Sequence, residues 1–113
     1  MNKDDKVILR TVIERLSELS EIGLDEDIIE EKTMIHRIVQ GGAGVFGSSI
    51  KLMIAAFGEA LLDQDEAVPV LRYPHFIRAY EAMTDADDDF NPFLVADWRG
   101  IDARKLMSRV DQS

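Results

Sequence analysis

Apolar residues recur at spacings of three and four between positions 4 and 20, at Ile8, Leu9, Val12, Ile13, Leu16 and Leu19, so the chain opens on one amphipathic helix. Asp4 and Asp5 stand at its start, where a carboxylate favours the positive end of the helix dipole, and Gly23 supplies a stop. A second helical pattern covers residues 25–40, with Ile28, Ile29, Ile35, Ile38 and Val39 as its apolar positions. Thr33 is the point where it can break in two, since a hydroxyl next to the backbone caps a helix as readily as it continues one. The run Gly41-Gly42-Ala43-Gly44-Val45-Phe46-Gly47 reads as a connector, because each glycine costs about 1 kcal/mol relative to alanine inside a helix. Ser48 or Ser49 then caps a third helix whose Ile50, Met53, Ile54, Phe57, Leu61 and Leu62 form the most apolar face in the chain. This predicts a central helix, which Ala55, Ala56, Gly58 and Ala60 let neighbours approach closely.

Residues 63–66 make a polar turn. The stretch Ala67-Val68-Pro69-Val70-Leu71 is β-branched and interrupted by proline, so it reads as an extended connection or lone edge segment with no partner strand. Pro74 suits the first turn of a fourth helix, with Phe76, Ile77, Tyr80 and Met83 as its inward stripe. Asp85, Asp87, Asp88 and Asp89 mark a solvated loop, and Phe90-Asn91-Pro92-Phe93-Leu94 is too apolar to be a free linker and should dock on the core. A last helix is predicted over residues 102–110, with Leu106 and Val110 on one side. The expected fold is all-α: one domain of about five helices, with residues 1–84 as the bundle core and residues 85–113 as an acidic loop and docking tail.

Composition narrows the functions open to such a bundle. The 113 residues include 46% hydrophobic and 31% charged, which is too apolar for a disordered chain and too short for a large enzyme. The net charge of −9 repels nucleic-acid phosphate and anionic lipid, so direct duplex binding by this chain alone is not expected. With no cysteine there is no disulfide, thiolate metal site or cysteine nucleophile. No apolar signal core follows the N-terminus and no stretch approaches the ~20 apolar residues that span a bilayer, so a cytoplasmic protein without membrane contact is expected.

Candidate chemistry is sparse. Gly42-Ala43-Gly44-Val45-Phe46-Gly47 matches the dinucleotide fingerprint letter for letter, but that loop binds pyrophosphate when a buried strand leads into it, and here a helix precedes it. Read instead as a phosphate loop, Gly42 to Ser48 and Ser49 lacks the lysine that reaches the outer phosphates, and Lys51 comes three residues too late. The acidic run 85–91 lacks the sixth-position glycine and twelfth-position glutamate of a calcium loop. His36 and His75 have no ligand-spaced partner, and no carboxylate pair or nucleophile elbow stands out. No residue is therefore assigned a catalytic or metal-binding role. Phe90, Phe93 and Trp98 either close the core or anchor an interface; Phe93 and Trp98 are the candidate partner-binding residues.

Four features together resemble the C-terminal helical lid of bacterial transposition AAA+ ATPases of the TniB, TnsC and MuB kind, most closely TniB-like proteins. Arg37-Ile38-Val39 leads into the glycine run, and Ile50 to Leu62 follows it. His75-Phe76 with Ala79-Tyr80 comes next, and Asn91-Pro92-Phe93-Leu94 with Asp97-Trp98 and Ile101-Asp102 ends the match. The resemblance spans about two thirds of the chain. It implies a non-catalytic lid packed behind a nucleotide-binding domain, helping neighbouring subunits assemble on target DNA for a transposase. ATP and magnesium would belong to the parent ATPase and not to this chain, which has no phosphate loop with lysine. Many such lids carry a phosphate-sensing arginine near the start of their third helix. Here Gly44, Gly47, Ser48 and Lys51 are the residues that would approach a nucleotide, with Lys51 the only cation among them.

The alternative is a stand-alone acidic binding module, such as an immunity protein, antitoxin or nucleic-acid mimic, steered to a basic partner by its charge. A small enzyme using the glycine turn is the third class. Three basic segments could reach an anion if a larger assembly presented them: Lys3 with Lys6, Arg72 to Arg78, and Arg99 to Lys105.

Overall fold

A computed structural model describes residues 3–30, 33–63, 68–85, 88–96 and 98–100. The chain is all-α, as the periodicity predicts: α1 (Lys3–Ser20), α2 (Glu26–Ile29), α3 (Met34–Gly41), α4 (Phe46–Leu62) and α5 (Tyr73–Thr84). The expected helix over 102–110 lies outside the described residues. The second helical pattern is indeed split, into α2 and α3, with Thr33 at the N-cap of α3.

α4 is the spine. It packs most extensively on α5 and also contacts α1 and α3, and its Leu52, Met53, Ala56, Phe57 and Ala60 are buried. The face it buries differs from the one expected. Ile54, Leu61 and Leu62 are 55%, 61% and 74% exposed, while Ser48, Ser49, Ala56 and Ala60 point inward. Met53 and Phe57 of the expected face are buried and Ile50 packs against the core; small side chains at Ser49, Ala56 and Ala60 beside them let α5 come close, and Ile54, Leu61 and Leu62 turn outward. A similar shift occurs on α1, where Leu9 and Ile13 are buried but Ile8 and Leu19 stand in solvent.

The predicted caps are also corrected. α4 begins two residues before Ser48, at Phe46, with Val45 as N-cap and no side-chain cap. Ser49 is buried in the first turn, where its Oγ donates to the Val45 carbonyl at 3.0 Å. After α1 the left-handed residue is Glu21 (φ 60°), and Gly23 does not stop the helix. Instead Gly23–Leu24 forms a short strand, β1, paired in parallel with β2 (Val70–Leu71), Gly23 opposite Val70 and Leu24 opposite Leu71. The extended segment after Pro69 therefore does have a partner. Pro69 offers no N–H, yet its carbonyl accepts from Gly23 N–H at 3.1 Å, and Asp25 N–H reaches the Leu71 carbonyl at 3.0 Å. Asp27 extends the strap: its carboxylate accepts the Tyr73 N–H at 3.0 Å and so caps α5 from another helix.

Phe90-Asn91-Pro92-Phe93-Leu94 docks as expected. Asn91, 1% exposed, donates from Nδ2 to the Ile77 carbonyl and accepts the Phe93 N–H, both at 3.0 Å. Arg37 reaches across from α3 and donates to the Pro92 and Val95 carbonyls. Among the described residues no single helix is long and apolar enough to cross a membrane. α3 and α4 together pass by length and composition, but they meet at a bend of 110°.

Candidate functional site

The glycine turn joins two helices, so the buried strand that a dinucleotide loop requires is not there: α3 runs to Gly41, immediately before Gly42. The glycines differ in what their surroundings require of them. At Gly42 a Cβ would meet the backbone of Ser49, its nitrogen at 2.7 Å and Cα at 2.9 Å, so this residue lets the turn lie against the first turn of α4. At Gly41 it would meet Leu52 at 2.8 Å. Gly44 takes the left-handed conformation (φ +73°), beside Ala43 at φ 57°, and closes the turn by donating its N–H to the Val39 carbonyl at 2.9 Å. Gly47 faces open space.

Of the nucleotide-proximal candidates, Gly44, Gly47 and Lys51 are exposed, whereas Ser48 is 8% exposed and turned inward. Gly47, Lys51, Ile54, Gly58 and Leu61 follow one another at helical spacings of three and four, and Leu62 lies four residues beyond Gly58. They form one face along the whole of α4, mostly exposed and least so at Gly58. At its N-terminal end α4 has neither a side-chain cap nor an acidic residue in its first turn. The site thus combines a helix start that suits an anion with a stripe of uncovered apolar side chains.

Phe93 and Trp98 sit elsewhere and are buried. Phe93, 3% exposed, packs among Tyr73, Phe76 and Tyr80 with ring centroids 5.3–6.4 Å away. Trp98, 7% exposed, stacks on His36 at 6.2 Å beneath the guanidinium of Arg99 at 4.8 Å. Both close the core, and in that setting they offer a partner little surface.

Sequence reasoning missed a buried histidine and its half-buried carboxylate partner. His75 is 1% exposed; its Nδ1 accepts the Arg72 N–H at 2.8 Å, which leaves Nε2 to donate to Asp63 Oδ2 at 3.0 Å. The ring ties the end of α4 to the start of α5. The spacing of twelve residues hides the pair from any helical template, although both residues flank helix ends. His36 is different: burial, then the charges of Lys6, Arg99 and Arg10, hold its pKa below the usual 6.5. Burial pushes the Tyr80 hydroxyl up to about 12, and that hydroxyl finds no partner among the described residues.

Asp85, Asp88 and Asp89 of the acidic run are exposed. No cluster of three His, Cys, Asp or Glu side chains among the described residues converges to hold a metal ion. Arg72, from the second basic segment, faces Asp25 at 3.4 Å. Compared with protein-family models, curated proteins and solved structures, the chain matches none.

Proposed function

We propose that the chain is the helical lid of a transposition-associated AAA+ ATPase of the TniB-like kind, non-catalytic alone, which docks on a nucleotide-binding domain through the open face of α4. One observation carries this reading: a largely exposed face of α4, half-buried at Gly58, runs from the glycine turn through Lys51 to Leu62. An apolar stripe left uncovered on the central helix of a bundle calls for a second body. Its uncapped start gives that body a polar end where Gly44, Gly47 and Lys51 approach the outer phosphates of ATP held by the parent domain. Movement of that domain with ATP and magnesium is then passed to neighbouring subunits and to the transposase. The 110° bend at the glycine turn would carry that movement between helices.

The genomic sequence adjoining the codon for Met1 tests this. A phosphate loop ending in Gly-Lys-Ser or Gly-Lys-Thr, encoded in frame or in the neighbouring gene, supports it. A neighbouring gene for a basic toxin would count against it.

A second reading, an acidic module that binds a basic protein, is favoured by a different surface. Asp25, Glu26, Asp27 and Glu30 line an open hollow beside Tyr73, on a chain of net charge −9. A complex with a basic partner that weakens steeply with salt, and that Ile54→Asp leaves intact, would favour this reading over the lid.

A further inference from the structure

Two of the three basic segments come together in space. Lys3, Lys6 and Arg10 of α1 face Ile35 and His36 of α3 across a groove of about 340 Å³, whose floor includes Val7, 58% exposed. Arg99 lies beside it, close enough to act on His36 together with Lys6 and Arg10. Lys3, Lys6, Arg10 and Arg99 form no ion pair among the described residues. Asp4 and Asp5 lie on other sides of α1, and Glu14 stands one turn beyond Arg10. On a chain with 22 acidic and 13 basic residues, this is a concentrated positive patch with an apolar floor.

The matching shape is on the same molecule. Asp88–Phe90 forms a short 3-10 turn in which both carboxylates and the ring are exposed, Phe90 to 55%. It is held rigidly at its base: Asn91 N–H donates to the Asp88 carbonyl, and the buried Asn91 amide is fixed to Ile77 of α5. The turn rides on α5, which packs on α4, whereas the groove lies between α1 and α3.

From this we infer that the α1–α3 groove receives the Asp88–Phe90 turn of a second copy of this chain, carboxylates against Lys3, Lys6 and Arg10, and the Phe90 ring on Val7 and Ile35. A pure phosphate backbone would use the cations and leave the apolar floor wet; an acidic turn led by an aromatic ring uses both. Groove and turn lie on different elements, and the inferred contact is head-to-tail: in that arrangement each copy added leaves a free groove and a free turn. The turn is already ordered, so little entropy is lost on insertion, but the contact is small and the association weak. This inference uses none of the residues on the open face of α4 and stands apart from the lid reading.

Sedimentation equilibrium of the whole chain, from about 20 µM to about 1 mM, covers the range in which small contacts dissociate. The weight-average mass should rise with concentration beyond twice the monomer and fall back when ionic strength is raised, as the ion pairs are screened. Lys6→Gln with Arg10→Gln should be monomeric, as should Asp88→Asn with Asp89→Asn and Phe90→Ser. All five residues are surface positions, and circular dichroism checks the fold. An equimolar mixture of the two variants should form a dimer and nothing larger, since one intact groove meets one intact turn. Ile54→Gln with Leu61→Gln should associate like the wild type. The inference is overturned if the wild type stays monomeric, if the mixture does, or if the α4 variant abolishes association. It is likewise overturned if the groove variant loses affinity for a labelled DNA oligonucleotide while self-association is absent, which would assign the groove to nucleic acid.

Discussion

Arg37 donates through Nη1 to the Pro92 carbonyl at 2.7 Å and to the Val95 carbonyl at 2.8 Å, joining α3 to a segment 55 to 58 residues further on. Its Nε is occupied by Thr33 Oγ1 at 2.9 Å, so the planar guanidinium spans three acceptors. Hydrogen bonds from a charged donor contribute about 1.5–3 kcal/mol each, less where solvent reaches them. Arg37→Met should lower stability by about 2–3 kcal/mol. Arg37→Lys should restore only part of it, because an ammonium cannot hold the same fork. The midpoint of urea unfolding for the three proteins checks this.

The three glycines of the fingerprint separate by their surroundings. Gly42→Ala drives a methyl into the Ser49 backbone and should cost more than about 2 kcal/mol. Gly44→Ala places a side chain at φ +73° in open space, at a cost of about 1 kcal/mol. Gly47→Ala meets nothing inside a helix and should stabilise by about 0.5–1 kcal/mol. Thermal unfolding of the series should give this order. Equal losses at all three positions would contradict it.

Tyr80 gives an alkaline prediction. Its phenol ionises near 10 in the unfolded chain and near 12 in the folded one, so unfolding releases a proton between those values. The stability it contributes is whole below pH 10 and is lost as pH rises through 12. Tyr80→Phe should remove that part of the alkaline loss. At neutral pH it should be neutral or about 1 kcal/mol stabilising, since the hydroxyl it deletes is buried without a partner among the described residues.

His36 works at the other end of the scale. Its folded pKa lies below 6.5, so the unfolded chain takes up the proton first. Stability is whole above pH 6.5 and falls as pH drops through 6.5 towards the lower folded value. His36→Gln should flatten the difference between urea midpoints at pH 7.5 and pH 5.5. The change is modest because the residue is mostly exposed and only partly desolvated against Trp98, and salt should reduce the part due to Lys6, Arg99 and Arg10.

The helices were legible because Leu9, Ile13, Ile35, Ile38, Phe76 and Tyr80 fall at helical spacing and do turn inward. The orientation of α4 was not legible. Apolar residues cover most of the circumference of α4, so Met53 and Phe57 turn inward as read while Ile54 and Leu61 do not, the choice falling to neighbours that reward small residues at Ser49, Ala56 and Ala60. The strand pair escaped because two residues have no alternation to read. The hydrogen bonds of Arg37, His75 and Asn91 escaped because their partners are carbonyls or side chains that only the fold brings near. At the candidate site, the glycine turn and Lys51 were readable from sequence. Their continuity with Ile54 and Leu61 along one open face was not.

The proposed docking through α4 is tested most directly by calorimetric titration of the chain with the phosphate-loop domain that the lid reading calls for, in the presence of ATP and magnesium. The wild type should bind. Ile54→Asp with Leu61→Asp should still fold, because both side chains are exposed and each aspartate costs the helix no more than about 1 kcal/mol, yet bind at least about tenfold more weakly, a loss of about 1.4 kcal/mol or more. Equal affinity for the two proteins would contradict the assignment of α4 as the docking face.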